Sequence, residues 1–258
     1  MRIPWRQDSD YGVTELDLNK FNSGTLARNN YGRALVLVNF GLFVEEYFQK
    51  GKRLEVAVVG GSLHEPELLL LSGLDYELNI EVFGIDEGNT RLDLNYTYNF
   101  TQASQKQFDL VLCSQVFEHV WNHSEAITTL SKLLKSAGVL WLACPASNKA
   151  HASPHYYSAG FSPEYLEAQV ISNSLNCLSK GQIGTARLYK ATHLLPTWLT
   201  VKEHNSPFLS AFCSLPAGKQ LFFRIRYLIT CLELLFSSGK ATTSGRWATE
   251  SWVVASRS

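Results

Sequence analysis

Hydrophobic positions near the start of the chain change from a helical to a strand-like pattern. Residues 30–50 carry apolar side chains at helical spacing, and LEVAVVG at 54–60 is a continuous run rich in β-branched residues. A run of this kind is typical of a strand that is buried on both faces of a parallel sheet. The pattern therefore predicts a helix followed by the first strand of such a sheet.

Three further strand patterns follow along the chain. They are EVFGID at 81–86, FDLVLCS at 108–114 and VLWLAC at 139–144. Strands that alternate with helices at this spacing predict a mostly parallel sheet with right-handed crossovers. The expected fold class is therefore α/β, with a doubly wound, Rossmann-like sheet and helices on both of its faces.

Two helices are predicted between these strands. The first begins at Pro66, a residue that suits a first helical turn, and runs to Gly73. The second passes through AITTLSKLLK, with Lys132 and Lys135 in its last turn and Gly138 at its exit. Each helix would cross one face of the sheet between two strands.

The last third of the chain holds two more strand candidates, NCLSKGQIG at 176–184 and WATESWVVASR at 247–257. Residues 185–246 between them are rich in apolar and aromatic side chains and contain three prolines. We expect a late helical insertion there, which could cap the substrate side of the sheet or form a homodimer contact. The predicted organisation is an N-terminal segment and helix at 1–53, and one domain at 54–258 that carries the insertion.

Composition argues against several functional classes. The 258 residues include 23 Lys or Arg and 23 Asp or Glu, so the formal charge is zero, and no basic stripe suggests nucleic-acid binding. The five cysteines form no C-x-x-C pair, which fits isolated thiols in a reducing compartment.

The polar start of the sequence lacks an apolar region of the kind found in signal peptides. The apolar stretch at 221–236 is too short to span a membrane. A cytoplasmic protein without a transmembrane segment is expected.

Candidate chemistry begins where the first strand ends, at Gly60, Gly61 and Ser62. Ligands of parallel sheets bind at the carboxyl ends of the strands, and glycines there let a ligand approach the backbone. Asp86 ends the next strand and could accept both hydroxyls of a ribose, with Glu87 beside it as a second candidate. This pattern predicts a nucleoside-containing cofactor, and a plain strand-to-helix turn is the alternative.

One stretch carries a specific family resemblance. FDLVLCSQVFEHVWNHSEAITTLSKLLKSAGVLWLACP, at 108–145, resembles the fourth strand, helix and fifth strand of class I S-adenosylmethionine-dependent methyltransferases, including their hxEHh segment. The similarity extends over about 54–170 and includes HYYSAGFSPEYL at 155–166. It implies S-adenosylmethionine as cofactor and methyl transfer to a small-molecule or sugar-like acceptor.

The resemblance also assigns parts of the cofactor to residues. The methionine part would lie along the glycine turn, the ribose would bind Asp86, and the adenine would face Asp93. The full set of candidate cofactor-binding residues is Gly60, Gly61, Ser62, Asp86, Glu87, Asp93, Ser114 and Gln115.

The chain departs from the family pattern in the glycine turn. Val58 stands where family members usually carry an acid, and GGSLH at 60–64 replaces G-x-G-x-G. The ammonium group of the cofactor would then need another acceptor, such as Glu65 or backbone carbonyls. The alternative hypothesis is a non-catalytic, methyltransferase-like binding protein.

A base is needed only if the acceptor is a hydroxyl. The candidate catalytic residues are His155 and His119, with Tyr156 in the loop that follows the fifth strand. His119 could equally be a structural residue that fixes the segment after the fourth strand.

Two other chemistries are less favoured. GGSLH differs from the hydrolase elbow G-x-S-x-G only at its last residue, but Ser62 follows the first strand, whereas the elbow normally follows several. His119 and His123 are four residues apart, but they do not form H-E-x-x-H and lack a third ligand. We therefore expect neither an α/β hydrolase nor a metal site.

Overall fold

The computed structural model describes residues 2–4, 15–17, 31–85, 90–96, 106–148, 154–183 and 248–258. The chain forms two compact units, one of residues 1–39 and 183–249 and a larger one of residues 40–182 and 250–258. The predicted organisation into 1–53 and 54–258 remains a prediction. The expected insertion at 185–246 lies outside the described residues.

In the smaller unit, β1 (Arg2–Pro4) pairs antiparallel with β2 (Glu15–Asp17). Ile183 and Thr249 are hydrogen bonded in the same unit. The backbone N–H of Thr249 donates to the carbonyl oxygen of Ile183 at 2.8 Å, and the Thr249 hydroxyl donates to the same oxygen at 3.1 Å. These bonds join the two chain positions that border residues 184–248.

Within the described residues, the remaining regular elements are a seven-stranded sheet and four helices. The strands are β3 (Arg53–Val59), β4 (Glu77–Gly84), β5 (Thr90–Arg91), β6 (Phe108–Ser114), β7 (Leu134–Pro145), β8 (Leu175–Ile183) and β9 (Glu250–Arg257). The helices are α1 (Tyr31–Tyr47), α2 (Pro66–Gly73), α3 (His123–Lys132) and α4 (Pro163–Ser172), with a 3₁₀ turn at Phe117–His119. No helix in the described part of the chain is long and apolar enough to cross a bilayer.

The strand order is β5-β4-β3-β6-β7-β9-β8. The first five strands pair in parallel, and β9 runs antiparallel to β7. The predicted mostly parallel sheet is therefore confirmed, as are both strands predicted in the last third of the chain. The carboxyl ends of β3, β4, β6 and β7 meet along one side of the sheet, which we call the carboxyl edge.

Both faces of the sheet are covered, because alternate residues of each strand point to opposite sides. On one face the strands pack against α3 and α4, through residues that include Val59, Val111, Leu142, Val253, Ile127 and Leu166. On the other face Trp141 is fully buried and its ring lies 5.0 Å from that of Phe40 in α1. The doubly wound arrangement with helices on both faces is confirmed.

The second strand is longer at its start than its sequence pattern predicts. It begins at Glu77 rather than at residue 81, and it ends at Gly84. In the extra residues Leu78 and Ile80 alternate with the polar Glu77 and Asn79, and the Asn79 amide donates to the Glu55 carboxylate of β3 at 2.6 Å. The prediction therefore started this strand too late, although apolar and polar residues already alternate there.

The helix that precedes β7 is shorter than predicted. It ends at Lys132, and Lys135 lies in an irregular start of β7, where Ala137 has a φ of 60°. The Lys135 ammonium contacts the Asp109 carboxylate of β6 at 2.9 Å. This ion pair holds residue 135 beside the neighbouring strand, so Lys135 does not serve the helix terminus as predicted.

His123 joins the two helices of one sheet face. Its ring stacks on Phe117 at 5.1 Å, meets Phe161 edge-on at 5.0 Å, and its Nδ1 hydrogen bonds the Tyr165 hydroxyl at 2.8 Å. Burial lowers the pKa of His123, although backbone carbonyls of Phe117 and Val120 act in the opposite direction. The folded protein therefore favours the neutral ring.

We predict that stability falls with acid partly because of His123. The unfolded chain binds a proton near the ordinary pKa of 6.5, whereas the folded chain binds it only at lower pH. The contribution should be complete above that ordinary pKa and decline as the pH falls towards the folded-state pKa. Urea unfolding at pH 7.5 and 5.5 should show a smaller pH dependence for His123→Gln than for the wild type. Equal pH dependence would contradict this prediction.

Candidate cofactor and acceptor site

The backbone conformation at position 60 and a neighbouring side chain both require a glycine there. Its φ is +73°, and its N–H donates to the Phe83 carbonyl of β4 at 2.8 Å. A Cβ added at Gly60 would lie 2.6 Å from Cγ2 of Val116. The segment that follows β6 therefore packs directly on this turn, which is a structural reason for the glycine besides the predicted approach of a ligand.

The rest of the turn is organised around the Glu65 carboxylate. A Cβ on Gly61 would lie 2.8 Å from Glu65 Oε1, and the same oxygen accepts the Ser62 N–H at 3.2 Å. The Ser62 hydroxyl accepts the backbone N–H of His64 at 3.2 Å. Among the hydrogen bonds of the described residues, none joins this hydroxyl to a histidine ring. The hydrolase alternative thus gains no support.

Ser114 and Gln115 leave β6 beside the glycine turn, since Cys113 pairs with Val59 in the parallel ladder. The Ser114 hydroxyl donates to Glu67 Oε1 of α2 at 2.7 Å. Gln115 has a φ of 58°, and its side-chain amide donates to Glu250 Oε2 of β9 at 2.9 Å. Both predicted residues are therefore held by buried carboxylates at the carboxyl edge.

Asn95 connects the segments that follow β5 and β6. Its side-chain amide donates to the His119 carbonyl at 3.0 Å, and its Oδ1 accepts the Trp121 N–H at 2.9 Å. Asp93, the predicted adenine neighbour, accepts the Asn95 backbone N–H at 2.9 Å and so shapes this turn. Asp86 and Glu87, the predicted ribose ligands, lie outside the described residues.

His119 and His155 contribute different groups to the same edge. The Nδ1 of His119 lies 2.6 Å from the carbonyl oxygen of His155, and a carbonyl can only accept, so Nδ1 carries a proton. In the neutral ring Nε2 is then the unprotonated nitrogen. It lies 3.9 Å from Oε1 of Glu118, whose side chain is buried. His119 thus places its Nε2 beside the carboxyl group of Glu118, whereas His155 supplies a main-chain oxygen.

Tyr156 is a hydrogen-bond donor in this arrangement. Its hydroxyl donates to the Asn148 carbonyl at 3.1 Å, and its ring lies 6.2 Å from that of His119. Burial raises the pKa of Tyr156, and the charge of Glu118 raises it further. The phenol therefore stays protonated at neutral pH, which suits a positioning role better than that of a base.

The two histidines that are four residues apart do not converge. His119 ends the 3₁₀ turn, and His123 begins α3 within the aromatic cluster of Phe117, Phe161 and Tyr165. Across the described ranges, no group of three His, Cys, Asp or Glu side chains is arranged to hold a metal ion.

Comparison with known protein sequences finds similarity to methyltransferases. Residues 91–142 match the family described as "Methyltransferase domain". Two curated relatives are ubiquinone biosynthesis O-methyltransferases. The protein of Maricaulis maris (strain MCS10) is 28% identical over 53% of this chain and 54% of its own length, and that of Bartonella quintana (strain Toulouse) is 31% identical over 37% and 41%. The chain spans about half the length of the curated relatives it matches, or less.

Solved structures share the fold at low sequence identity. A SAM-dependent methyltransferase from Archaeoglobus fulgidus has a TM-score of 0.50 at 15% identity, covering 87% of this chain and 94% of its own. The cyclase SpnF has a TM-score of 0.51 at 13% identity, with coverages of 90% and 84%. The chain therefore has the Rossmann-like fold of these proteins. Its resemblance to class I S-adenosylmethionine-dependent methyltransferases is confirmed.

Sequence reasoning missed Glu67, Glu250 and Asn95 as parts of this edge. Glu67 is recognisable in sequence only as an acid in a first helical turn, a position where acids are common. Glu250 and Gln115 are 135 residues apart, so no local pattern links them. Asn95 could have been considered as a turn residue, but its bridging role depends on the parallel pairing of distant strands.

We predict that Gly60→Ala destabilises the fold by about 2–4 kcal/mol, through its positive φ and through overlap with Val116. Val116→Ala should relieve the overlap but not the backbone strain. The double variant should therefore be more stable than the sum of the two single effects implies, as measured by urea unfolding. Simple additivity of the two changes would show that Val116 does not limit the space at Gly60.

We predict that Asn95→Ala lowers the free energy of unfolding by about 1–3 kcal/mol, because the His119 carbonyl and the Trp121 N–H both lose their partner. Asn176→Ala is the matched control, since Asn176 is exposed and its amide makes one bond, to Ser258, at 3.0 Å. Its effect should stay within about 0.5 kcal/mol in the same urea titration. Equal effects of the two substitutions would argue against a bridging role for Asn95.

Proposed function

We propose that this chain is an S-adenosylmethionine-dependent methyltransferase that methylates a hydroxyl group of a small molecule, with sugar-like compounds among the candidate acceptors. The observation that carries the proposal is the oriented ring of His119 beside the buried Glu118, within the segment that matches the methyltransferase family. The O-methyltransferase names of both curated relatives support oxygen as the accepting atom.

The chemistry of the carboxyl edge fits this cofactor. S-adenosylmethionine carries two positive charges, on its ammonium and sulfonium groups, and when bound it supplies a methyl group that the sulfonium already activates. The buried carboxylates at this edge, Glu67, Glu118 and Glu250, offer a negative environment for such a ligand. Hydroxyl and amide groups of Ser114 and Gln115, and the turn at Gly60, Gly61 and Ser62, would hold its amino-acid end.

The remaining cofactor contacts in the proposal come from the segments after β4 and β5. Asp86 would bind the ribose hydroxyls, with Glu87 as the second candidate, and Asp93 would lie on the adenine side. The coclaurine N-methyltransferase structure, with a TM-score of 0.50 at 12% identity over 86% of this chain and 72% of its own, contains SAH. This precedent supports the binding of a nucleoside-containing cofactor by the fold.

His119 is the proposed general base. Its Nδ1–H donates to the His155 carbonyl, which leaves Nε2 to take the proton of the acceptor hydroxyl. The Glu118 carboxylate, 3.9 Å from Nε2, would stabilise the imidazolium that results. The loop that carries His155 is held in turn, because the N–H groups of Tyr157 and Ser158 donate to the Glu118 carbonyl.

Two finer statements belong to the same proposal. We expect the protein to act in the cytoplasm without nucleic acid, and to form a homodimer through residues 185–246 if that insertion is not a cap. A non-catalytic binding protein remains the second candidate function. The departure from the family pattern at Val58 favours it, and turnover measurements separate the two.

We predict that His119→Gln lowers kcat by about 10²–10⁴-fold, the range for removal of a general base. Its affinity for S-adenosylhomocysteine should stay close to that of the wild type, because glutamine removes the base without changing the glycine turn. Formation of S-adenosylhomocysteine with a panel of small hydroxyl compounds gives the turnover, and calorimetric titration gives the affinity.

The comparison variant is His155→Ala, which keeps the main-chain carbonyl that orients His119. Its turnover should fall far less than that of His119→Gln. A His155→Ala variant as inactive as His119→Gln would contradict the assignment of roles. A wild-type protein that binds cofactor but methylates no hydroxyl compound would favour the non-catalytic candidate.

A further inference from the structure

This chain has Val58 where the family pattern has an acid, but another element supplies a carboxyl group nearby. Val58 pairs with Leu112 of β6, and Ser114 lies two residues further along that strand, on the same face of the sheet as Val58. The Ser114 hydroxyl donates to Glu67 Oε1 at 2.7 Å. The carboxyl group of Glu67 therefore lies next to the end of β6, beside the glycine turn, although Val58 itself is apolar.

Burial of Glu67 is not explained by its position in the helix. Glu67 and Glu164 are each the second residue of a helix that starts with proline, α2 and α4 respectively, so both benefit from the positive helix end. Glu164 is exposed, whereas Glu67 is 0% exposed. A buried carboxylate is retained only where specific partners stabilise it. One such partner of Glu67 is the Ser114 hydroxyl at the carboxyl edge.

We infer that Glu67 is a positioning residue that replaces the missing acid of the glycine turn in recognition of the cofactor's amino-acid end. The Ser114 hydroxyl has one hydrogen, which it donates to Glu67, so its lone pairs are free to accept. They would accept from the ammonium group of the bound cofactor, while the Glu67 carboxyl group holds the Ser114 hydroxyl in place. This inference rests on the proposed function, because it concerns the same cofactor site.

Glu65 is the rival for this role. It lies nearer to Gly61, and it was the first alternative acceptor that the sequence suggested. Its carboxylate is already engaged by the Ser62 N–H at 3.2 Å and fills the space above Gly61. Glu65 therefore shapes the turn itself, while Glu67 acts through a hydroxyl at the adjacent strand end.

The test compares two ligands that differ only at the amino-acid end. S-adenosylhomocysteine has the ammonium and carboxylate groups, and 5′-methylthioadenosine has the same thioether nucleoside without them. Glu67→Gln keeps the size of the side chain and an acceptor for Ser114 but removes the charge. It should weaken binding of S-adenosylhomocysteine about 10- to 100-fold, as for a lost charge-assisted hydrogen bond, and change binding of 5′-methylthioadenosine by less than about twofold.

Four further variants complete the design, and one of them, Glu65→Gln, tests the rival acid. Ser114→Ala should reduce the preference for S-adenosylhomocysteine in the same way, and Glu67→Gln/Ser114→Ala should add little to either single change, because the two residues act as a unit. Glu164→Gln is the matched control and should alter neither affinity. Urea unfolding of each variant ensures that affinities are compared between folded proteins.

The outcomes are distinct. Equal weakening of both ligands in Glu67→Gln would indicate a purely structural role and would overturn the inference, as would an unchanged preference. Loss of the preference in Glu65→Gln but not in Glu67→Gln would transfer the role to Glu65 and also overturn it. A wild type that binds 5′-methylthioadenosine but not S-adenosylhomocysteine would overturn the inference while leaving a nucleoside site. A wild type that binds neither ligand would overturn the proposed function, and the inference with it.

Discussion

The parallel pairing of β3 with β6 is the interaction on which the described structure depends. Val56 to Val59 pair with Leu110 to Cys113, and all of these residues are almost fully buried. The pairing brings two distant chain segments to a common edge, where the turn at Gly60 meets the segment that starts at Ser114. Because the two strands end together, Gly60 must both adopt a positive φ and leave space for the side chain of Val116. Each segment limits the conformation of the other.

Two of the buried acids at that edge are held by hydrogen-bond donors from other elements. Glu67 of α2 is bonded by a residue of β6, and Glu250 of β9 is bonded by the residue that follows β6. A buried carboxylate without such a donor would be strongly destabilising. The acids therefore tie the ends of three elements together in the same place where a cationic ligand would find compensating charge. The hydrogen bonds of Glu67 and Glu250 would therefore contribute both to the stability of the fold and to ligand recognition.

Local sequence predicted the elements whose side chains repeat a simple pattern. Apolar runs identified β3, β6 and the regular part of β7, and their alternation with helices predicted a mostly parallel sheet. The start of β4 was missed, although Leu78 and Ile80 alternate there with the polar Glu77 and Asn79 as in a half-buried strand. Lys135 was assigned to a helix end because its attraction to Asp109, 26 residues earlier, is not visible in a local window.

The site was predictable to the extent that it follows the motifs. Ser114, Gln115 and His119 came from the stretch that resembles the methyltransferases, and the glycine turn came from its position after the first strand. Glu67 could not be found in this way, since its significance depends on a hydroxyl 47 residues away. The sequence also could not decide whether His119 or His155 is the candidate base. That choice depends on the contact between the His119 ring and the main-chain carbonyl of His155.

The bonds between Ile183 and Thr249 have an evolutionary consequence. They fix both ends of the intervening segment 184–248 to each other. For a segment whose ends are already held, the entropy of closure grows only slowly with length, by about 0.6 kcal/mol for each doubling. Residues could therefore be gained or lost between these two positions at a small cost in closure entropy.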